Sequence, residues 1–298
     1  MEQFIKNKAL ELGFCAAGIA NADASSSIDR YEEWLAKGHS AGMSYLSRNI
    51  DKRKDIRNLE PWARSVIVVA ARYPLNHAPG KGFSTYCRGT DYHKVIKDKL
   101  TLLGEEIQKR SPNTKTRAFT DSAPILEREL AIKSGIGWQG RHGQIIHETH
   151  GCCILLGELL TDLVLQATPP VRDRCGDCRI CIQSCPTGAL SETKSVDARK
   201  CRSYLTIEHK GVFTPEQGSL IGQSVFGCDI CTAACPYNAD TDNSRIIPEL
   251  RERDLPSAFD ILSMNKEDFD RQFNDTAVHR TGLNRLQRNA KQTIENQS

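Results

Sequence analysis

Eight of the twelve cysteines in this chain crowd between Cys175 and Cys235, in two runs that leave little freedom in what that stretch can become. The first run reads Cys175-x2-Cys178-x2-Cys181-x3-Cys185-Pro186. The second reads Cys228-x2-Cys231-x3-Cys235-Pro236, with Cys201 upstream. The first is the spacing of bacterial ferredoxins that carry [4Fe–4S] clusters. Two-residue gaps let three thiolates curl around one cubane, with backbone N–H groups turned toward its sulfides. The Cys-Pro then turns the chain away and sends its thiolate to the other cluster. Crossed ligation assigns Cys175, Cys178, Cys181 and Cys235 to one cluster, and Cys185, Cys201, Cys228 and Cys231 to a second. Cys201 completes the second set because Gly222–Gly227, where a first thiol of that run would lie, holds no cysteine. Zinc sites use pairs of cysteines parted by a longer spacer, not a four-cysteine run closed by proline.

Outside these runs the composition is that of a globular protein. Charged residues make up 26% and hydrophobic residues 39% of 298 positions, a length that suggests about two domains. A net charge of +3, from 40 basic and 37 acidic residues, excludes a nucleic-acid protein recognisable by bulk charge but leaves local patches open. The N-terminal stretch MEQFIKNKALELGF has no secretory h-region. The longest purely apolar run, Val66–Ala71, is far short of the ~20 residues that span a bilayer. A cytoplasmic protein without membrane association is expected, and there thiols stay reduced.

Residues 1–165 read as an α/β domain. Ile5, Ala9 and Leu12 have helical spacing, closed by Gly13, and Ser26-x-x-Asp29 resembles a capping box before a second helix that stops at Gly38. Ser65–Ala71 has the pattern of a strand buried on both faces. Ile96, Leu100, Leu103 and Ile107 stripe a helix over about His93–Lys109. Arg117–Thr120 reads as a strand, and Pro124 suits the first turn of a helix closed by Gly135. Further strand candidates are Gln144–His147, Cys153–Leu156 and Glu158–Leu165. Residues 166–245 form the α+β dicluster ferredoxin-like module, entered through Thr168-Pro169-Pro170, and 246–298 read as a short helical, basic tail.

Three segments of the first half are rich in polar and glycine residues: Tyr86–His93, Asp121–Pro124 and Gly135–His142. Gly-rich turns let backbone approach a large flat ligand, and no GxGxxG or P-loop points to a nucleotide. Each segment also has a plainer reading. Asp121 serves as a helix cap, His142 as a surface histidine, Cys87 as an inert buried thiol.

Together the chain resembles the epoxyqueuosine reductase family along nearly its whole length. The resemblance rests on Arg88-Gly-x-Asp-Tyr-His93, Asp121-Ser-Ala-Pro with Glu127-Arg128, and Gly135-Ile-Gly-Trp138-x-Gly140. It continues through Leu156-Gly157-Glu158, Tyr204…Glu208, Gly227-Cys-Asp-Ile-Cys231 and Arg288-Asn289-Ala290. It implies a cobalamin-dependent iron–sulfur enzyme that reduces the epoxide of epoxyqueuosine to the alkene of queuosine at the tRNA wobble position, with loss of water. The first domain is then a cobalamin-binding fold related to those of reductive dehalogenases and a cobalamin-processing chaperone, with the cofactor between it and the ferredoxin module. Electrons pass through both clusters to give a low-valent cobalt. Asp121 matches the family's proton donor, although a helix N-terminus favours the ionised carboxylate and desolvation would have to win. Cobalamin contacts carry over to Arg53, Tyr86, Cys87, Asp121, His142, Ile145, Leu156, Cys228 and Asp229. Where the family commonly has Gly-Lys-Asn, this chain has Gly140-Arg141-His142, and the resemblance puts His142 on the corrin rather than on cobalt.

The implied partners are the anticodon arm of tRNA and an external electron donor such as a flavodoxin or ferredoxin, and the chain is expected to act as a monomer. Phosphate contacts are expected from Arg48–Arg57, from Arg199, Lys200, Arg202 and Lys210, and from a tail carrying Arg271, Arg280, Arg285, Arg288 and Lys291. Many relatives continue into helical repeats; here the tail alone is expected to hold the anticodon arm. A dehalogenase-like reductase or a plain electron carrier fits less well, the one for want of a Tat signal, the other because it needs no polar glycine-rich loops.

Overall fold

A computed structural model describes residues 1–75, 82–239 and 245–297. In chain order the elements of the first half are α1 (Glu2–Glu11), β1 (Ala16–Asn21), α2 (Ile28–Ala36), α3 (Ile50–Lys54), β2 (Ser65–Arg72), α4 (Tyr92–Arg110), β3 (Thr116–Phe119), α5 (Glu127–Lys133), β4 (Trp138–Gln139), β5 (Ile145–Ile146) and β6 (Ile154–Thr161). The main sheet has the order β1-β2-β6-β3, with β4 and β5 as a separate hairpin. Helices and strands alternate as expected of an α/β chain, yet every pairing is antiparallel. β2 and β3 run parallel only across β6, with α4 crossing between them.

β2 carries the core. Ile67, Val69 and Ala71 face α1 and α4, while Val66, Val68 and Ala70 face α5, so alternating side chains feed two hydrophobic layers. The α4 stripe of Ile96, Leu100, Leu103 and Ile107 is completely buried, and Asp91 caps the helix by accepting from His93 N.

Three local expectations are corrected. The α2 N-cap is Ser27, not Ser26. The side chains of Ser25, Ser26 and Ser27 instead surround the Glu129 carboxylate. The helix expected at Pro124 starts at Glu127. The two strands expected on either side of Gly157 are one strand, β6, because Gly157 pairs with Val69 and only a missing Cβ leaves room for Ile96, whose Cγ2 would lie 2.5 Å away. Two strands have no counterpart in the sequence pattern: the short β4, in a glycine-rich segment, and β1, which lacks a β-branched run and is formed by pairing with β2, from Ala16↔Ala70 to Asn21↔Ser65.

The cysteine-rich half contributes α6 (Ile180–Ser184), α7 (Arg202–Ile207), α8 (Pro215–Ile221) and α9 (Ile230–Ala233). α6 and α9, each inside a cysteine run, pack on one another. The Thr168–Pro170 linker is pinned to β1: Thr168 N donates to Ile19 O, and Thr168 Oγ1 accepts from Ile19 N. Then follow α10 (Ala258–Ser263), α11 (Lys266–Phe273) and α12 (Leu283–Glu295). Their Ile261, Phe269, Phe273 and Leu286 join the same apolar layer as α4, and Phe273 stacks on Phe83. No helix among the described residues is long and apolar enough to cross a membrane.

Candidate active site and metal centres

The folding of the two runs brings their thiols into two groups. Cys175, Cys178, Cys181 and Cys235 line one recess of about 310 Å³, together with Arg141, His142, Ile146, Pro236 and Tyr237. Cys231 has Cys228, Cys201 and Cys185 as its nearest thiol neighbours in electrostatic order, followed by Cys181 of the first group. The two sets of four expected from the spacing are therefore the two sets that lie together, with Cys181 and Cys231 where they adjoin. A pair of four-thiol groups, partly buried except for the buried Cys181 and Cys235, matches the donor set of two [4Fe–4S] clusters.

Residues 82–87 connect this module to the first half. Ser84 N donates to Phe226 O at 2.8 Å, and Val225 N to Gly82 O at 2.7 Å. The Asp229 carboxylate accepts from Ser84 Oγ and, at 2.6 Å, from Thr85 N. Tyr86 and Cys87 are thus fastened beside Cys228 and Asp229. Cys87 donates its S–H to Ser84 O, and burial pushes its thiol well above the ordinary range.

Tyr86 marks where distant segments converge. Burial raises its hydroxyl pKa, and Cys87, Asp121, Asp229 and Glu208 raise it further, in that order. Tyr92 packs edge-on against Tyr86 and donates to Asp121 Oδ2 at 2.5 Å. Tyr45 is raised by burial and by Glu208 and Asp121, with Arg280 opposing. Sequence reasoning did not place Tyr45, Glu208 or Arg280 here. Glu208 sits in a recognised motif and Arg280 in the basic tail, while Tyr45 carries no local signal.

Asp121 sits at φ +49° in the loop before α5, so it does not cap a helix. Its side chain is 60% exposed at the mouth of this site. The surrounding walls crowd it and push its pKa up, but hydrogen bonds from His93 and Tyr92 win and hold it below the usual carboxylate range. Desolvation therefore does not win in the resting site. His93 is the counterpart: burial pushes it down, while Asp121 and Asp91 more than offset this and raise it. His93 Nδ1 lies 2.6 Å from Asp91 Oδ1; Nε2 lies 3.5 Å from Asp121 Oδ2 and 2.6 Å from Arg280 Nη1. Beneath the loop, Asp121 N donates to Glu127 Oε1 at 2.5 Å. Burial, then the Asp121 charge, pushes Glu127 up to about 7, and Glu158, fully buried beside it, goes well above the carboxylate range.

The remaining expected contacts lie elsewhere. Ile145 and Leu156 belong to the α5-side core. Arg53, on α3, borders a separate recess with Ile125, Leu126 and Lys133, where its buried Nε has no partner. His142 is buried rather than on the surface, and it stands over the first thiol group.

A family model described as a 4Fe-4S double cluster binding domain matches residues 174–238, and one described as epoxyqueuosine reductase QueG, DUF1730, matches residues 53–122. The epoxyqueuosine reductase of Leadbetterella byssophila is 40% identical over 290 residues, covering 96% of this chain and 95% of the relative. A crystal structure of epoxyqueuosine reductase with an epoxyqueuosine-modified tRNA-Tyr stem loop superposes with a TM-score of 0.91 at 28% identity, over 99% of this chain and 80% of that one. The Bacillus subtilis epoxyqueuosine reductase, in a structure whose catalytic aspartate loop is swung out of the active site, gives 0.91 at 27% identity, over 99% and 81%.

Proposed function

The chain belongs to the epoxyqueuosine reductase family, and from that premise we propose that it reduces epoxyqueuosine in tRNA to queuosine at the site built around Tyr86 and Asp121. The observation that carries the reading is the meeting of the Asp121 loop with the Ser84–Cys87 segment fastened to Cys228-Asp229, so that a proton-handling group and a four-thiol group border one site. The reaction takes two electrons and two protons, opens the epoxide to an alkene and releases its oxygen as water.

The two thiol groups suit [4Fe–4S] clusters, held by Cys175, Cys178, Cys181 and Cys235 and by Cys185, Cys201, Cys228 and Cys231. Cobalamin also fits what lies around Tyr86. Tyr45, Tyr86 and Tyr92 hydroxyls and the Asp229 carboxylate suit the amide-bearing rim of such a group. When bound, cobalamin supplies a low-valent cobalt that gathers single electrons and delivers them as a pair.

The chain's own residues handle the proton. Tyr92 and Glu127 fix the Asp121 carboxyl and backbone. Asp91 holds the His93 ring through Nδ1, and once the Arg280 guanidinium gives up Nε2, protonated His93 presents an Nε2–H to Asp121 Oδ2. Substrate closing over the exposed side of Asp121 adds to the desolvation that the His93 and Tyr92 hydrogen bonds oppose, which raises its pKa and lets it pass a proton to the departing epoxide oxygen. His93 then recharges it. An external one-electron donor supplies the electrons, and basic side chains hold the anticodon arm.

The test is nucleoside mass spectrometry of epoxyqueuosine-bearing tRNA incubated with reduced, cobalamin-loaded protein. Conversion to a product lighter by one oxygen is expected. Unchanged epoxyqueuosine beside a fully metallated, cobalamin-loaded protein refutes the reading.

A further inference from the structure

The β4–β5 hairpin closes over the first thiol group, and it is unusually rich in side-chain N–H groups that are buried and unsatisfied. Trp138 Nε1, Arg141 Nε and His142 Nε2 have no hydrogen-bond partner among the described residues. Such a group left unpaired carries the full desolvation penalty of a buried donor. Three on one hairpin, two of them on residues that line the recess, call for an acceptor that occupies it.

His142 is the most sharply defined of the three. It is 3% exposed, and it lines the recess with Cys175, Cys178, Cys181 and Cys235. Its Nδ1 accepts from Gln144 N at 3.1 Å. A neutral ring that accepts at Nδ1 carries its proton at Nε2, so the unpartnered Nε2 is a donor. A His142 ring nitrogen and the sulfurs of Cys152 and Cys235 all lie within 4.8 Å of one another. Cys152 is itself fixed: its N donates to Asn238 Oδ1 at 2.8 Å, and Asn238 Nδ2 donates to its sulfur at 3.2 Å. Arg141 reinforces the arrangement. Its Nη2 donates to Gly176 O at 2.7 Å, inside the Cys175–Cys178 loop, and its Nη1 to Glu192. Hairpin and ligand loop therefore move as one piece. Packed among Cys152, Cys175 and Cys235, Trp138 excludes water from the same side.

A cluster held by four thiolates presents a ring of negatively charged sulfur, and hydrogen bonds to that sulfur stabilise the more negative, reduced state. We propose that His142, positioned by Gln144 and supported by Arg141, donates Nε2–H to the sulfur of the first cluster and so raises its reduction potential. This rests on the reading of that thiol group as a cluster site. His142 then acts as a positioning and tuning residue for electron transfer, and the first cluster becomes easier to reduce than it would be without that donor.

The experiment is an EPR-monitored redox titration of the holoprotein, of His142→Phe and of His142→Gln, with iron counted in each. The glutamine Nε2 reaches the point of the imidazole Nε2 and keeps the donor, whereas phenylalanine keeps the shape alone. With about eight irons per chain retained, His142→Phe should lower one of the two midpoints by about 59 mV, a tenfold change in oxidised-to-reduced ratio for a one-electron couple. The other midpoint should stay, and His142→Gln should leave both in place. Unmoved midpoints in fully metallated His142→Phe overturn the proposal, as does a His142→Gln shift equal to that of phenylalanine. In unsubstituted protein labelled with 15N-histidine, pulsed EPR of the reduced clusters should show a weak 15N coupling, and its absence overturns the proposal even if His142→Phe does not fold. A colourless protein holding zinc overturns the cluster reading itself, and this one with it.

Discussion

The Tyr92 hydroxyl donates to Asp121 Oδ2 at 2.5 Å across 29 positions of sequence, and this bond ties the first turn of α4 to the loop before α5. It makes Asp121 both placed and acidic. Asp121→Asn should keep about eight irons and bound cobalamin while losing turnover by about 100-fold or more, the scale of general acid catalysis. Tyr92→Phe removes a donor that holds the carboxyl low, so Asp121 should titrate higher and turnover should fall by only about 3- to 10-fold, the worth of one hydrogen bond. Single-turnover kinetics of both variants check this; near-normal turnover in Asp121→Asn removes it from the mechanism.

His93 gives the site a pH dependence of defined sign. The folded protein holds the His93 proton more tightly than the unfolded chain, because Asp121 and Asp91 outweigh the burial that opposes them. The stability this contributes is fully present below the ordinary histidine value of about 6.5 and is lost as pH rises through the raised folded value. Urea unfolding of the unsubstituted protein should therefore weaken across that window relative to His93→Gln. Parallel pH curves for the two would show that His93 is not the group concerned.

How much of the molecule is legible in the sequence depends on how local each cause is. The two cysteine runs are legible from spacing within a few residues, and their thiols lie together in the fours that crossed ligation expects. The α4 stripe is equally plain. Asp121 is recognisable from its motif, but its left-handed backbone and distance from a helix are not. Pro124 is a valid start signal, yet the Glu127 carboxylate reaches back to Asp121 N and the helix begins there instead. β1 has no pattern of its own and exists only by pairing with β2. Gly157 looks like a break because its cause, the close approach of Ile96, comes from another element. Tyr45, Glu208 and Arg280 meet around Asp121 from three remote segments, which no window of sequence contains.

Glu158 is fully buried against Glu127, so one proton must be kept between the two carboxyls. A buried acid with a raised pKa binds its proton more tightly folded than unfolded, so stability falls as pH rises above the ordinary glutamate value. Glu158→Gln keeps the shape without the proton. It should match the unsubstituted protein near pH 5 and exceed it by more than about 1 kcal/mol at pH 8, since each tenfold gain in proton affinity on folding is worth about 1.4 kcal/mol. Denaturant midpoints at the two pH values decide the matter, and an equal difference at both would mean that Glu158 is ionised in its pocket.

The basic residues expected to meet phosphate divide into staples and free charges, which changes what their mutation should do. Arg288 donates to the carbonyls of Leu205 at 3.2 Å, His209 at 2.9 Å and Gly211, and lies over the Phe213 ring. Arg285 donates to Ile207 O at 2.7 Å. Arg57, Arg199 and Arg271 are paired with Asp55, Asp197 and Asp268. Arg48, Lys54, Lys200 and Lys210 are exposed and have no ion-pair partner among the described residues. Arg288→Ala should accordingly destabilise the fold by about 2–4 kcal/mol through unpaired carbonyls and lost packing. Changing Arg48 and Lys54 together to Ala should leave the melting temperature in place. It should weaken tRNA binding and lower the salt slope by about 2, one for each phosphate contact. Binding isotherms at several salt concentrations, beside thermal melts, separate the two roles. A full salt slope in the Arg48/Lys54 double variant would move the tRNA surface to Lys200 and Lys210, which flank Cys201 in sequence.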